Sequence, residues 1–183
     1  INLETLHTSY NGSLATIYLS EGQEIKNIIK DDHTQIVRRD YIAFEDFEFE
    51  KYLIERFDVN ADGFMSTSEL SIIDDVNICT DNISDVSPLV YSVNLINFSA
   101  NGSKPDSGQL KEINLPEHPK LEKVSFYDNQ VSKLNLSKSV NLKSLLCWEN
   151  KLKTLDVSKF PNLEVLCCAQ NQLTEIDVSH CTN

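Results

Sequence analysis

The C-terminal part of the chain is a repeat with a period of 21, read from segments that begin at Lys120, Asn141 and Asn162. KLEKVSFYDNQVSKLNLSKSV (120–140), NLKSLLCWENKLKTLDVSKFP (141–161) and NLEVLCCAQNQLTEIDVSHCT (162–182) align without a gap. Their template is N-L-x-x-L-x-C-x-x-N-x-L-x-x-L-D-V-S, from which the first copy departs at Lys120, Val124, Phe126, Val131, Asn135 and Leu136, and Asn183 is read as opening a further copy. A unit this short cannot bury its apolar edge alone, so it must stack on its neighbours. The chain is therefore constrained to build a solenoid.

Two weaker copies precede these three. In SVNLINFSANGSKPDSGQLKEINLPEHP the expected core is Val93, Ile96, Phe98, Leu110, Ile113 and Leu115. Seven extra residues between Asn101 and Leu110, with Gly102, Pro105 and Gly108 among them, read as a surface loop. DDVNICTDNISDVSPL supplies Val76, Ile78, Ile83 and Val86, which makes about five rungs. Within a rung, positions 5 and 7 alternate with 4, 6 and 8, which is strand periodicity. Leu145, Cys147, Leu166 and Cys168 are expected to point inward, and Ser144, Leu146, Trp148, Val165, Cys167 and Ala169 outward. Asn129, Asn150 and Asn171 fall at position 10, where the chain must turn, so each is expected to bond the backbone of its own rung and a neighbour's. Strands of adjacent rungs lie about 4.8 Å apart.

The outward positions form a grid. Position 8 is read as Ser99, Tyr127, Trp148 and Ala169, position 6 as Asn97, Ser125, Leu146 and Cys167, and position 4 as Leu95, Lys123, Ser144 and Val165. The single Trp of the chain lies on this grid beside Tyr127 and Leu146. Exposed aromatics next to an apolar neighbour are the side chains enriched at binding hot spots. Tyr127, Trp148, Leu146, Lys123, Val165 and Cys167 are thus the candidate ligand residues, for a protein, peptide or glycan. The competing reading is that the aromatics only cover the sheet or pack on the 102–108 loop.

Ahead of the repeats, FDVNADGFMSTSEL (57–70) matches D-x-[DN]-x-[DN]-G-x5-E in full. Asp58, Asn60, Asp62, the Phe64 carbonyl, Ser66 and a bidentate Glu69 would supply six oxygens, and hard oxygen donors at this spacing suit calcium. Phe49, Tyr52, Leu53 and Phe57 lie at helical spacing before the loop, and Leu70, Ile72 and Ile73 continue an apolar helix after it. Paired loops make sensors, and one loop is present, so a structural clip at the end of the solenoid is the expected role. The alternative is an acidic turn that holds no ion. In the first forty residues, a Ser20–Gln23 capping box predicts a helix over 21–30, and Leu14 to Leu19 reads as a strand.

These segments together resemble the leucine-rich repeat family, in the 21-residue Leu-x-Cys variety common in secreted or surface-anchored proteins of gut anaerobic bacteria. The resemblance spans residues 44–183. It implies an α/β fold: a solenoid with a curved parallel β-sheet, mostly strand and irregular rungs, behind a small helical EF-hand-like cap. The expected divisions are an N-terminal segment over 1–43, extending the cap, an EF-hand-like cap over 44–75, and repeats over 76–183, cut short at the C-terminus. The resemblance also implies an extracellular or cell-surface setting, secreted or lipid-anchored, with the signal segment expected to lie outside the sequence given. An uncapped last rung offers a route to end-to-end association.

Charge narrows the function further. The chain carries a net charge of −12, and its first 91 residues hold 18 of the 28 acidic side chains but only 6 of the 16 basic ones. Without a basic stripe, nucleic acid is not an expected partner, and no run of 18 apolar residues would span a membrane. The four His residues are scattered, and neither H-E-x-x-H nor G-x-S-x-G occurs. Cys167 is expected to be exposed, but a thiol with no base on its face stays protonated. A non-enzymatic interaction or adhesion module is the primary expectation. A purely structural spacer is the alternative, and a thiol enzyme using Cys167 comes last.

Overall fold

The computed structural model describes residues 5–10, 12–14, 16–20, 27–39 and 42–181. The chain divides into two compact units, Ile1–Ile42 and Ala43–Asn183.

Among its described residues the first unit holds four short strands: β1 (Thr5–His7), β2 (Thr16–Ser20), β3 (Asn27–Ile29) and β4 (Gln35–Arg39). β1 pairs in parallel with β3, and β2 with β4, so two coils lie one on the other. Thr34 is buried and its hydroxyl donates 2.7 Å to the Leu14 carbonyl, which ties the two turns together. β2 lies where Leu14 to Leu19 predicts a strand. The helix expected over 21–30 is not formed at Asn27–Ile29, which is strand; residues 21–26 lie outside the described residues. Two adjacent Ile residues favour an extended backbone, and the ladder to Thr5–His7 outweighs a local capping signal.

The second unit begins with α1 (Phe47–Phe57) and α2 (Thr67–Ser71). Asp46 caps α1, accepting from the Phe49 amide at 2.9 Å, and Ser66 with Glu69 closes a capping box on α2. Phe49, Leu53, Met65, Leu70 and Ile73 are buried between them. The apolar helix expected to run on through Ile72 and Ile73 stops at Ser71; Ile72 is the C-cap of α2 and is 59% exposed. The Tyr52 hydroxyl accepts the Asn77 amide at 3.2 Å, so α1 covers a hydrogen-bonding group of the first strand of the sheet.

That sheet comprises β5 (Asp75–Cys79), β6 (Asn97–Asn101), β8 (Lys123–Ser125), β10 (Ser144–Leu146) and β11 (Val165–Cys167), all parallel and in chain order. A second parallel pair, β7 (Glu112–Asn114) with β9 (Lys133–Asn135), forms on the other side of the coil. The inward residues make one continuous core: Val76, Phe98, Val124 and Leu145, then Ile78, Ala100, Phe126 and Cys147, are all buried. In the last described strand Leu166 and Cys168 are half-buried, because no described coil packs beyond them.

The register corrects the second rung by two positions. Asn97 pairs with Lys123 and Ser99 with Ser125, so Asn101 stands opposite Tyr127. Leu95 is buried, whereas Val93 and Ile96, expected in the core, are exposed. The spacing is 26 from Asn97 to Lys123 against 21 from Lys123 to Ser144, so the insertion adds five positions, not seven. Its two glycines are required by contact. A Cβ on Gly102 would lie 2.2 Å from the Asp128 carbonyl oxygen, and one on Gly108 would lie 2.2 Å from Asn129 Oδ1.

Candidate functional site

The position-10 asparagines build the scaffold of the strand face. Asn150 donates through Nδ2 to Phe126 O one rung back (2.9 Å) and to Cys147 O (3.3 Å) and Trp148 O (3.1 Å) in its own turn. Its Oδ1 accepts the Val131 amide at 2.9 Å. Asn129 and Asn171 repeat this pattern with Ala100 O and Cys147 O. The amide groups of these asparagines are thereby satisfied, and the residue before each Asn is forced into the left-handed region: Asp128 (φ 57°), Glu149 (φ 50°) and Gln170 (φ 53°).

On this scaffold Tyr127 and Trp148 stack, with centroids 4.0 Å apart and planes 8° from parallel. Asn101 Oδ1 holds the Tyr127 amide at 3.0 Å and the Ser125 hydroxyl at 2.7 Å, which fixes the base of the stack. Leu146, Lys123, Val165 and Cys167 lie on the same face: Lys123 pairs with Ser144 and Ser144 with Val165, while Leu146 pairs with Cys167. Lys123, Val165 and Cys167 are exposed, and Tyr127, Trp148 and Leu146 are half-buried. The six predicted ligand residues are thus together on one surface.

Carboxylates line the side on which the strands exit. Glu149 is held above the ordinary carboxylate range, first by desolvation, then by a hydrogen bond and charge from Asp128, and then by Asp106. Asp106 comes from the inserted loop, which is anchored on Asp81. The hydroxyls of Ser103 and Ser107, and then the amide of Ser103 (2.9 Å), donate to Asp81 and hold its carboxyl well below the usual range.

The cap loop folds around its own acceptors. Asp58 accepts the Asp62 and Gly63 amides at 3.2 and 2.8 Å, and Asn60 accepts the Asp62 amide at 2.9 Å. Glu69 reaches across the loop to the Val59, Asn60 and Ser66 amides at 3.1, 3.4 and 3.0 Å. Gly63 sits at φ 81°, the sharp turn that the motif requires. Asp62 Oδ1 accepts the Phe64 amide at 2.9 Å. Among the described residues no group of three His, Cys, Asp or Glu is drawn together as a metal centre. Three of the six predicted donors (Asn60, the Phe64 carbonyl and Ser66) are of other types.

The thiols are free: Cys79, Cys147, Cys167, Cys168 and Cys181. Cys147 is buried at the inward position expected of it. Burial, followed by the neighbouring Cys168 and Cys167, pushes its thiol up to about 12, which makes it a packing group and not a nucleophile. Among the described residues no histidine hydrogen-bonds Cys167; His180 Nδ1 instead meets Ser179 Oγ at 3.3 Å.

Residues 140–182 match the leucine-rich repeat family, in two copies. The chain is also similar in structure to the functional domain of InlJ from Listeria monocytogenes, which is described as including a cysteine ladder. The TM-score is 0.55 and the identity 17%, covering 98% of this chain and 37% of that one. The fold is a leucine-rich repeat solenoid. No curated protein sequence matches the chain. The present chain spans little more than a third of the InlJ chain.

Two parts of this leucine-rich repeat site escape the repeat template. Asn101 occupies position 8 of its rung, hidden by the insertion, although N-L-I-N-F-S-A (94–100) carries the signal with Phe98 and Ala100 in place of Leu and Cys. Thr80, from the first rung, donates 2.8 Å to Asn129 Oδ1 across the strand between them. No spacing rule predicts that contact. No described helix is long and apolar enough to cross a membrane.

Proposed function

We propose that the chain is a non-enzymatic interaction or adhesion module of a secreted or cell-surface protein. Leucine-rich repeat proteins typically mediate protein interactions, and the strand face here is the surface offered to a protein, peptide or glycan. The observation that carries the reading is the Tyr127–Trp148 stack, half-buried at its base and flanked by exposed Val165, Lys123 and Cys167. Stacked aromatics give a partner a large, rigid contact area at low entropic cost.

The cap is proposed to hold a structural calcium ion through Asp58, Asn60, Asp62, the Phe64 carbonyl, Ser66 and Glu69. Their donor set is wholly oxygen, which suits a hard cation. When bound, the ion would join Glu69 on α2 to Asp58 at the end of α1. It would thereby stiffen the pair of helices that packs on the first strand.

Binding of labelled protein to host-cell or bacterial surfaces tests the face. Trp148→Ala and Tyr127→Ala are each expected to reduce binding at least tenfold. Undiminished binding by both would leave the chain a structural spacer.

A further inference from the structure

The strand face and its margins are unequal in charge. Lys123 and Asp75 are the charged residues on the face itself. At the margin where the strands enter, Lys143 is paired with Glu122 at 3.0 Å. At the opposite margin the turns of Asp128 and Glu149 stack, the Asn129 amide donating 3.1 Å to the Glu149 carbonyl, and Asp128 and Asp106 bear on Glu149, whose opposing partner is the neutral Gln170 side chain and not a cation. Asp128 and Glu149 hold equivalent left-handed positions in successive turns, so their approach is built into the coil. Like charges forced together raise one another's energy, and a cation placed beside them relieves it.

Beside this crowd, one aromatic face is open. Trp148 is covered on one side by Tyr127. On the other, the next residue in its column is Ala169, because Leu146 pairs with Cys167 and the column advances two residues along each strand. Ala169 is exposed and too small to cover an indole. Together these residues would frame a slot with an aromatic wall, an alanine floor and a carboxylate margin. A guanidinium suits all three surfaces: it is flat, stacks on aromatic rings, and directs its N–H donors in plane toward carboxylates. An ammonium would be drawn by the charge but would use the ring less well.

We propose that the partner of the strand face is a protein segment bearing an arginine, whose guanidinium lies on Trp148 above Ala169 and donates to Glu149. The inference rests on the strand face being the binding surface, and it adds the chemistry of the occupant.

Trp148 is the only tryptophan, so its fluorescence reports the slot directly. The probes are N-acetyl-Arg-Gly-Arg-amide, the same peptide with citrulline, which is flat but uncharged, and the same peptide with lysine. The arginine peptide is expected to shift Trp148 emission saturably and to weaken as salt is raised. Citrulline should bind at least tenfold more weakly and lysine about fivefold more weakly.

Glu149→Gln copies the residue that the next rung already carries at this position, Gln170 at φ 53°, so it preserves the turn. It should weaken the arginine peptide about tenfold. Ala169→Leu fills the slot on an exposed site and should abolish the shift. Equal binding of the arginine and citrulline peptides, indifference to Glu149→Gln, or no shift with any peptide would each overturn the proposal. Surface binding that still falls with Trp148→Ala in those cases would keep the face and discard the arginine. Surface binding indifferent to Trp148→Ala would discard the face itself.

Discussion

Asp46 accepts three hydrogen bonds that join two elements: one from the Phe49 amide inside α1, and two from Ser84, through its amide at 2.7 Å and its hydroxyl at 3.0 Å. One carboxylate therefore starts the cap helix and fastens it to the turn of the first rung. Burial raises its pKa, but the bonds from Ser84 and Phe49 outweigh this and leave it lowered.

Asp46→Ala is expected to cost about 2–4 kcal/mol, combining a lost helix cap with lost bonds to a charged acceptor. Ser84→Ala should cost less, about 1–2 kcal/mol, because the amide bond survives. Urea unfolding followed by far-UV circular dichroism measures both. Because the folded pKa is depressed, this stability is present above the ordinary Asp range near 4 and is lost as pH falls below it.

The asparagine ladder predicts a sharper penalty. Asn150→Ala removes the donor for Phe126 O, Cys147 O and Trp148 O and the acceptor for the Val131 amide, in a buried turn. A loss of about 3 kcal/mol or more is expected. Asn150→Asp should lie close to it, since the acceptor remains but the donors do not. Thermal unfolding of the two variants should bring their midpoints down together, and an unchanged midpoint for Asn150→Asp would show that the donors matter little.

His118 is fully buried between turns, with Nε2 at 2.8 Å from the Leu89 carbonyl and Nδ1 without a hydrogen-bond partner. Burial lowers its pKa, against smaller raising effects from the Leu89 and Leu115 carbonyls and Glu117. The neutral ring is the folded form, so stability is complete above the ordinary histidine pKa near 6.5 and declines as pH falls through it. Ser139 stands one repeat further on, in the equivalent turn, and is likewise buried, so His118→Ser places a residue that the coil already accepts. The melting temperature of the wild type should drop more between pH 7 and 5 than that of His118→Ser. Parallel pH profiles would refute the assignment.

Calcium bound in the cap loop should stabilise the folded chain by about 1–3 kcal/mol at 10 to 100 times the dissociation constant, read as a higher melting temperature. Asp58→Ala with Glu69→Ala should abolish that increment. The double variant will also start lower without calcium, because Glu69 closes the capping box and accepts three loop amides. The increment, and not the baseline, is therefore the measurement.

The repeat template reads the core well wherever the period is unbroken. Leu145, Cys147 and Asn150 are buried as their spacing requires, because one register serves strand, core and turn at once. It fails at the second rung, where the insertion lengthens the step from Asn97 to Lys123 and the core holds Phe98 and Ala100. The face was legible as a set of columns, but the 4.0 Å stack of Tyr127 on Trp148 depends on side-chain rotation, which spacing does not encode. The carboxylate margin is not legible from the period, because Asp106 belongs to the inserted loop. The first unit was least legible. Thr5 pairs with Asn27 and Thr16 with Gln35, two steps of unequal length, so no single period runs through it.

Each ladder asparagine takes its acceptors from its own turn and from the turn before it, and Asn171 does so as fully as Asn129. Such a bond pattern points one way along the molecule, as the teeth of a ratchet do. A newly duplicated repeat would find its docking instructions already written in the segment it follows. Length is thereby uncoupled from chemistry, and a lineage can lengthen or shorten the reach of the binding surface by copying, without redesigning a single contact.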